Sequence, residues 1–328
     1  MSMNLVVDPV FNARNQRLPA DVSHILASSI TQASSKQSYY TVRCLVDRTR
    51  IDDAYRAYAY FRWVDDNLDE TRQNKESRIA FANQQTALIN HCYHGNWPQR
   101  ILPEEQMLVN LIRRNNEQSS GLRIYIENMM AVMQFDAERK GRLISQSELD
   151  NYAYLLATAV TEALHYFIGN GRYAPGNETR YLAATGAHIA HMLRDTVLDV
   201  ANGYYNIPGE YLAAHNLQPW DIGSEAYRMW VKQRVELART YFQTGKQYLA
   251  QVEHTRCRIA GYAYIARFET VLDLIEKDNY FLRVDYPERK RASAFLKMGW
   301  SALTGALNPF PKPAARHTPL APKPTIQW

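Results

Sequence analysis

The stretch from Arg56 to Glu70 constrains the fold of this chain more than any other part of the sequence. Its first half carries alanine and aromatic residues at helical spacing. Charged residues then recur three and four positions apart, so a helix places them along one side: Arg62, Asp65, Asp66 and Asp69. The sequence therefore predicts a helix that combines an apolar face with a row of carboxylates.

These carboxylates have two interpretations. Like charges on adjacent helical turns repel one another by roughly a few tenths of a kcal/mol per pair, so a purely structural helix gains nothing from them without a cation. One interpretation is therefore a site for a hard divalent ion such as Mg²⁺, which prefers oxygen ligands. The other is a solvated acidic helix end, because short acidic runs are common on protein surfaces.

A further acidic spacing far downstream favours the cation site. His188, His191, Asp195 and Asp199 follow one another at intervals of three, four and four, again along one helical face. Each of the two helices then carries aspartates at helical spacing and a nearby arginine. Carboxylates from both helices could share several Mg²⁺ ions, and those ions could hold a diphosphate inside an otherwise apolar core.

At these two motifs the chain resembles the squalene/phytoene synthase family. One family signature is an aromatic run with the pattern Tyr-Ala-x-x-Arg-x-x-Asp-Asp-x-x-Asp, and residues 58–69 reproduce it. The other family signature has the pattern Leu-Arg-Asp-x-x-x-Asp followed by proline, which residues 193–199 and Pro208 match. Phe135-Asp136 and residues 147–152 resemble the family's middle helices, and residues 36–40 resemble a short segment that flanks a diphosphate.

The resemblance implies an all-α fold, a single large helical bundle of the isoprenoid synthase type with a central cavity. It implies a prenyltransferase that joins two isoprenoid diphosphates, farnesyl or geranylgeranyl diphosphate, head to head through a cyclopropyl diphosphate to a squalene- or phytoene-type product. Mg²⁺ is the implied cofactor, and NADPH is required only if the product is reduced. The implied catalytic residues are Arg62, Asp65, Asp66, Asp69, Arg194, Asp195 and Asp199.

The metal ligands implied by the resemblance are the same five aspartates together with His191. The implied substrate-binding residues are Ser38, Tyr39, Tyr58, His188 and His191. Both histidines depart from the family pattern, which has Gln and Asn at these positions. Tyr204 stands where the family has a diphosphate-binding arginine, and Phe268 where it has a tyrosine.

These departures keep three functions open. The first is the head-to-head synthase. The second is a single-substrate terpene cyclase or atypical prenyltransferase of the same fold, which the altered positions favour. The third is a non-catalytic assembly or interaction protein, although such a protein has no reason to keep clustered like charges.

The composition of the chain argues against several other classes of protein. The net charge of +5 and the pI of about 8.9 fit anionic substrates or an anionic membrane surface. No basic run with interleaved aromatic residues indicates nucleic-acid binding. The three cysteines are widely spaced, so the sequence predicts neither a disulfide framework nor a zinc site, and a reducing, cytoplasmic location is expected. We find no signal peptide and no apolar run long enough to span a bilayer.

Residues 1–20 are predicted to form an N-terminal arm, 21–308 one helical domain and 309–328 a Pro-rich tail. Within the domain, Pro103 is expected to start a helix, and Ser145 with Glu148 forms a capping box at the start of another. Long helices are expected near 220–252 and 257–283. Residues 289–303 make a basic amphipathic segment, which predicts either contact with a membrane surface or packing against the bundle.

Overall fold

The computed structural model describes residues 20–69, 74–115, 120–169, 174–290 and 292–307. The predicted Pro-rich tail and, except for Ala20, the predicted N-terminal arm lie outside this part of the chain, and the predicted domain boundaries stay a prediction. The described residues form α-helices and short 3₁₀ turns with no β-strand, which confirms the all-α fold class. No helix among them is long and apolar enough to cross a bilayer.

The α-helices follow one another along the described chain with short connections. They are α1 (Ala20–Ser34), α2 (Lys36–Leu45), α3 (Ile51–Asp69), α4 (Lys75–Tyr93), α5 (Pro103–Arg114), α6 (Gly121–Arg139), α7 (Gln146–Phe167), α8 (Leu182–Ala201), α9 (Gly209–Ala214), α10 (Glu225–Leu249), α11 (Thr255–Lys277) and α12 (Ala292–Leu307).

Side-chain caps explain where several helices begin. Ser35, Asn74, Ser120 and Ser224 each accept a hydrogen bond from a backbone N–H in the first turn of α2, α4, α6 and α10. At α7 the predicted capping box is confirmed, because Ser145 accepts from the Glu148 N–H while Glu148 accepts from the Ser145 N–H. Pro103 starts α5, as predicted.

The chain divides into two compact units. Among the described residues, one unit contains 20–169 and 200–212, and the other contains 174–199 and 213–307. The first unit therefore holds α1 to α7 and the loop after α8. The second holds most of α8 together with α10, α11 and α12.

In the first unit, α3 is the central helix. It packs against α1, α4, α5 and α6 through buried residues that include Ala59, Val64 and Leu68. A buried polar chain ties it to its neighbours, since the Tyr60 hydroxyl donates to Gln85 of α4 (3.1 Å) and the Gln85 amide donates to Glu105 of α5 (2.9 Å). These contacts fix the end of α3 that carries the first aspartate motif.

The loop that follows α8 is tied to the connection between α6 and α7. Gly141 donates to the Gly203 carbonyl (2.8 Å), and Gly209 donates to the Ile144 carbonyl (2.8 Å). Gly203 has a φ of +83°, in the left-handed region that favours glycine. The turn at Gly203 thus directs residue 204 towards the side chains at the end of α6.

In the second unit, α11 packs against α10 and α12. Arg239 of α10 binds Asp273 (2.6 Å) and Glu276 (2.7 Å) of α11, and Lys246 binds Glu269 (2.6 Å). Gly245 of α10 lies against Ala183 of α8, where a Cβ would come within 2.7 Å of the Ala183 Cβ. This close approach holds α8, and with it the second aspartate motif, against α10.

Candidate active site

The first motif occupies the last two turns of α3, with its carboxylates on one side as predicted. The Arg62 guanidinium donates to Asp65 (3.1 Å) and also binds Asp66. All three side chains are partly exposed, so these ion pairs contribute little to the free energy of unfolding. Arg62 therefore orients two of the predicted metal ligands without neutralising the whole cluster.

Asp65 lies in an environment that disfavours its charge. Burial, with the nearby charge of Asp69, raises its pKa from 3.8 to about 7, and the charge of Asp136 adds to the effect. Arg62 opposes the shift but does not overcome it. The cluster therefore holds more negative charge than its own arginine balances.

Asp136 of α6 belongs to this cluster, although sequence reasoning did not place it in the site. Arg139 donates to one of its oxygens (2.5 Å) and Tyr152 of α7 donates to the other (3.0 Å). Burial nevertheless raises the pKa of Asp136 above its ordinary value. The only sequence signal was the likeness of Phe135-Asp136 and Tyr152 to the family's middle helices.

Arg139 joins Asp136 to the loop after α8. Its guanidinium donates to the buried Asn206 side chain (2.7 Å) and lies over the ring of Tyr152, 4.7 Å from the centroid. The Arg139 side chain is itself buried. A buried guanidinium with these partners is a rigid positive group next to the carboxylates.

Tyr204 completes the first cluster from the same loop. Its hydroxyl donates to Asp69 (3.2 Å), and its ring lies beneath Arg139 and Lys140, at 5.1 and 5.3 Å from their charged groups. Burial, with the charge of Asp69, raises the pKa of the Tyr204 phenol above its ordinary value. The family pattern has an arginine at this position. This chain instead has a neutral phenol, which donates a hydrogen bond to the Asp69 carboxylate.

The second motif forms a cluster of its own on α8. Arg194 donates to Asp195 (2.6 Å), and the His191 imidazole lies 3.2 Å from the same carboxylate. Burial, together with the charge of Arg194, lowers the pKa of His191 to about 4, so the imidazole is neutral at physiological pH. Burial by itself would raise the pKa of Asp195. The hydrogen bond from Arg194 outweighs burial and holds this pKa below its ordinary value.

Two further arginines lie near this cluster, and sequence reasoning did not assign either to the site. Burial and the charge of Arg194 lower the pKa of Arg289 below its ordinary value, while the charges of Arg267 and Arg289 contribute to the low pKa of His191. Arg267 lies over the ring of Phe268, 5.3 Å from its centroid. Three guanidinium groups therefore act on this cluster, and positive charge of this kind suits an anion.

The remaining predicted residues of the second motif lie on the same helix. His188 is buried. Burial raises the pKa of the Tyr227 phenol on α10, and the charge of nearby Asp199 raises it further. His191 meets the edge of Phe268 of α11, with ring centroids 6.3 Å apart, so two of the positions that depart from the family pattern contact each other.

The predicted substrate-binding residues of the first unit lie on α2 and α3. Ser38 is in the first turn of α2, where its N–H donates to the Ser35 cap. Tyr39 stacks on Tyr55 of α3, with ring centroids 5.4 Å apart, and packs against a small apolar cluster. Tyr58 is half-buried on α3, one turn before Arg62.

Among the described residues, no three His, Cys, Asp or Glu side chains lie close enough together to hold a metal ion by themselves. Mg²⁺ commonly takes only one or two carboxylates and completes its shell with water and substrate phosphates. The all-oxygen donor set of Asp65 and Asp69, with the raised pKa of Asp65, fits an ion held in that way.

The family model described as squalene/phytoene synthase matches residues 31–294. No curated protein matches the chain by sequence.

Among solved structures, squalene synthase HpnC from Alicyclobacillus acidocaldarius is similar, with a TM-score of 0.63 and 17% identity over 82% of this chain and 98% of that one. A ligand complex of a dehydrosqualene synthase has a TM-score of 0.67 and 14% identity, and it covers 87% of this chain and 96% of that one. A ligand complex of TcSQS has a TM-score of 0.66 and 14% identity, and it covers 88% of this chain and 89% of that one.

At these identities the structural likeness shows the fold alone, while the family model covers most of the chain and includes both aspartate motifs. The chain therefore belongs to the squalene/phytoene synthase family and is a prenyltransferase.

Proposed function

We propose that this prenyltransferase condenses two isoprenoid diphosphates head to head, with Mg²⁺, through a cyclopropyl diphosphate to a squalene- or phytoene-type product. Farnesyl and geranylgeranyl diphosphate are the proposed substrates. NADPH takes part only if the product is reduced. Family membership supports the reaction type, and the geometry of the two clusters supports the roles given below.

The observation that carries the proposal is the charge imbalance at the first motif. Asp65, Asp69 and Asp136 lie near one another, and burial, together with the charges of Asp69 and Asp136, raises the pKa of Asp65 to about 7 despite Arg62. A protein gains nothing in stability from such a cluster, but a bound cation would neutralise it. Perturbed carboxylates of this kind are typical of functional sites.

In this proposal, the metal is held by the five aspartates of the two motifs and by one histidine, namely Asp65, Asp66, Asp69, Asp195, Asp199 and His191. Mg²⁺ bound there would supply the positive charge that makes diphosphate a better leaving group. Arg62 keeps Asp65 and Asp66 oriented before the ion arrives. Tyr204 does the same for one oxygen of Asp69.

In this proposal, the arginines of the second unit bind the diphosphate group of the substrate. Arg194, Arg267 and Arg289 provide planar, permanently charged donors, which match phosphate oxygens. As the C–O bond of the substrate breaks, its electron pair passes to the diphosphate, and these guanidiniums stabilise the growing charge. Asp195 holds Arg194 in place for this role through a 2.6 Å hydrogen bond.

The allyl cation that remains has to be kept from water. Aromatic rings such as those of Tyr39 and Tyr58 can stabilise a cation through their faces, and these two residues are the proposed contacts of the prenyl chain along with Ser38 and His188. The double bond of the other substrate molecule then supplies the electron pair for the new C–C bond, and the resulting cation loses a proton as the cyclopropane ring closes. The prenyl chains and the product are lipophilic, so contact with a membrane is part of the proposal.

Two observations favour a single-substrate reaction as the second candidate. His191 and Phe268, which both depart from the family pattern, contact each other, and Tyr204 replaces a cationic residue. These changes alter how a diphosphate and its prenyl chain would be held. A terpene cyclase or atypical prenyltransferase would use the same ionisation without another substrate molecule.

The test is incubation of the purified protein with Mg²⁺ and geranyl, farnesyl or geranylgeranyl diphosphate, with and without NADPH. Mass spectrometry of a hexane extract and an assay of released diphosphate are the readouts. A product with twice the carbon count of the substrate supports condensation, and its hydrogen count reports reduction. A product of unchanged carbon count supports the second candidate, and the absence of diphosphate release with every substrate would overturn both.

A further inference from the structure

The loop after the second aspartate motif departs from the family pattern at two positions. The family pattern there is Gly-Arg-x-Tyr-x-Pro, whereas residues 203–208 of this chain read Gly-Tyr-Tyr-Asn-Ile-Pro. Tyr204 thus takes the place of the arginine, and Asn206 takes the place of the tyrosine. The loop has lost a planar, permanently charged donor beside a cluster of carboxylates.

Both altered side chains contact the same guanidinium, which comes from another element. Arg139, the last residue of α6, donates to the Asn206 side chain (2.7 Å). Its guanidinium carbon lies 5.1 Å from the centroid of the Tyr204 ring. The two departures from the family pattern are therefore linked through one arginine on α6.

The Arg139 guanidinium is enclosed by its partners. The side chain is only 6% exposed, and its Nε donates to Asp136 (2.5 Å). The rings of Phe135 and Tyr152 lie 5.6 and 4.7 Å from its guanidinium carbon. A planar fork that binds a carboxylate and an amide oxygen and lies against aromatic rings has one strongly preferred orientation.

Position 204 lies beside the carboxylates of the first cluster. The Tyr204 hydroxyl donates to Asp69 (3.2 Å), and the charges of Asp69, Asp136 and Arg139 all act on the phenol. An arginine at this position would therefore lie near the same two aspartates. In this chain the loop keeps a hydrogen bond to Asp69, while the positive charge enters the cluster from α6.

We propose that Arg139 supplies from α6 the guanidinium that position 204 lacks, and that it is a positioning residue for the first aspartate motif. Through Asn206 and the Tyr204 ring it fixes the loop, so that the Tyr204 hydroxyl stays on Asp69. Through Asp136 it offsets one charge of the carboxylate cluster. The inference deepens the proposed function and rests on it, because it assigns Arg139 to the site proposed for Mg²⁺ and diphosphate.

The test moves the guanidinium back to the loop. The chains compared are the original protein, Arg139→Gln, Tyr204→Arg and the double variant Arg139→Gln/Tyr204→Arg. Isothermal titration calorimetry in a buffer with Mg²⁺ measures the Kd of inorganic diphosphate. Diphosphate release from geranyl, farnesyl and geranylgeranyl diphosphate gives kcat and KM, and circular dichroism checks that each chain folds.

Arg139→Gln should weaken the binding of inorganic diphosphate by about tenfold, because Asp136 and the loop lose a charged hydrogen-bond donor. It should lower kcat/KM by about 100-fold, since the first motif is no longer held in its geometry. In the double variant, the arginine introduced at position 204 lies near the same carboxylates, so both quantities should recover to within about tenfold of the original. An arginine needed only for folding would not be replaced by one on another element.

Arg123→Gln is the matched control, because Arg123 lies at the opposite end of α6 and pairs there with Glu127 (2.7 Å). It should bind diphosphate like the original protein. If Arg139→Gln does not fold, Arg139→Lys takes its place in both the single and the double variant. Lysine keeps the buried charge but cannot serve Asp136 and Asn206 with one planar fork.

Unchanged diphosphate binding by Arg139→Gln would overturn the inference, and so would a double variant that binds no better than Arg139→Gln. Absence of calorimetric binding by the original protein would overturn it as well. If the original protein binds inorganic diphosphate but releases none from any prenyl substrate, the proposed reaction fails, while the Kd values of the variants still decide the role of Arg139.

Discussion

Asp65 is a single residue whose charge costs stability in the folded chain. Its pKa of about 7 in the folded chain lies above its ordinary value of 3.8, because burial and neighbouring carboxylates disfavour the charge. Between about pH 4 and 7 the folded protein therefore keeps a proton that the unfolded chain has released. The contribution of Asp65 to stability falls as the pH rises through this window, and the full penalty is present above about pH 7.

We therefore expect Asp65→Asn to be more stable than the original protein above pH 7 when metal is absent, with no difference near pH 4. The Asp65 side chain is 38% exposed, so solvent screening reduces the effect to about 1 to 2 kcal/mol. Thermal unfolding with a chelator across this pH range measures it. Asp66→Asn, at the neighbouring and more exposed carboxylate, is the control and should show no such gain.

Another prediction at the same scale concerns Tyr204. Tyr204→Phe removes only the hydroxyl that donates to Asp69 and keeps the ring beneath Arg139 and Lys140. With Asp69 less firmly held, the Mg²⁺ concentration for half-maximal diphosphate release should rise by roughly three- to tenfold. Mn²⁺ binding in the presence of a non-reactive prenyl diphosphate analogue, followed by electron paramagnetic resonance, should weaken in parallel. If Tyr205→Phe changes both quantities equally, the hydrogen bond to Asp69 is not responsible.

The residues that could be predicted from sequence are those whose spacing along one helix brings them together. Arg62 contacts Asp65 and Asp66 because each lies about one turn further along the helix, and the same holds for His191 and Asp195. Asp136 and Tyr204 are brought to the first motif by tertiary packing instead. The spacing of residues within one helix does not predict a contact between different elements, and for this reason these two residues were not assigned to the site.

At the scale of the element, local signals located helix starts better than helix ends. The caps at Pro103 and Ser145 lie within a few residues of the groups they satisfy, so the sequence shows them directly. The helix expected near 257–283 ends at Lys277, because Asn279 and Tyr280 adopt positive φ angles and the chain turns there. A left-handed tyrosine is rare enough that the sequence gives no warning of it.

The packing of α8 on α10 yields a third prediction. Gly245→Ala should destabilise the protein by about 1 to 2 kcal/mol, because the new methyl group would meet the backbone of Ala183, and this outweighs the better helix propensity of alanine. Chemical denaturation measures the change. At Gly223 a Cβ meets nothing within 4 Å, so Gly223→Ala should leave the free energy of unfolding nearly unchanged. Equal stability of the two variants would contradict the close approach of α8 and α10.

At the scale of the whole molecule, the two charge clusters suggest how a ligand stabilises the chain. The first is rich in carboxylates, and the second is rich in guanidiniums. The described residues contain no set of three ligands that could hold a metal alone. Binding of Mg²⁺ should therefore depend on a diphosphate that completes the metal's coordination shell.

We expect Mg²⁺ together with a non-reactive prenyl diphosphate analogue to raise the melting temperature far more than either component alone. At a ligand concentration of about 100 times Kd, linkage stabilises the folded state by about 2.7 kcal/mol. Differential scanning calorimetry over a series of analogue concentrations measures the shift, and Ca²⁺ in place of Mg²⁺ tests the preference for the smaller ion. If Mg²⁺ alone gave the full shift, the protein would hold the metal without the diphosphate, and the aspartates would form a complete metal site by themselves.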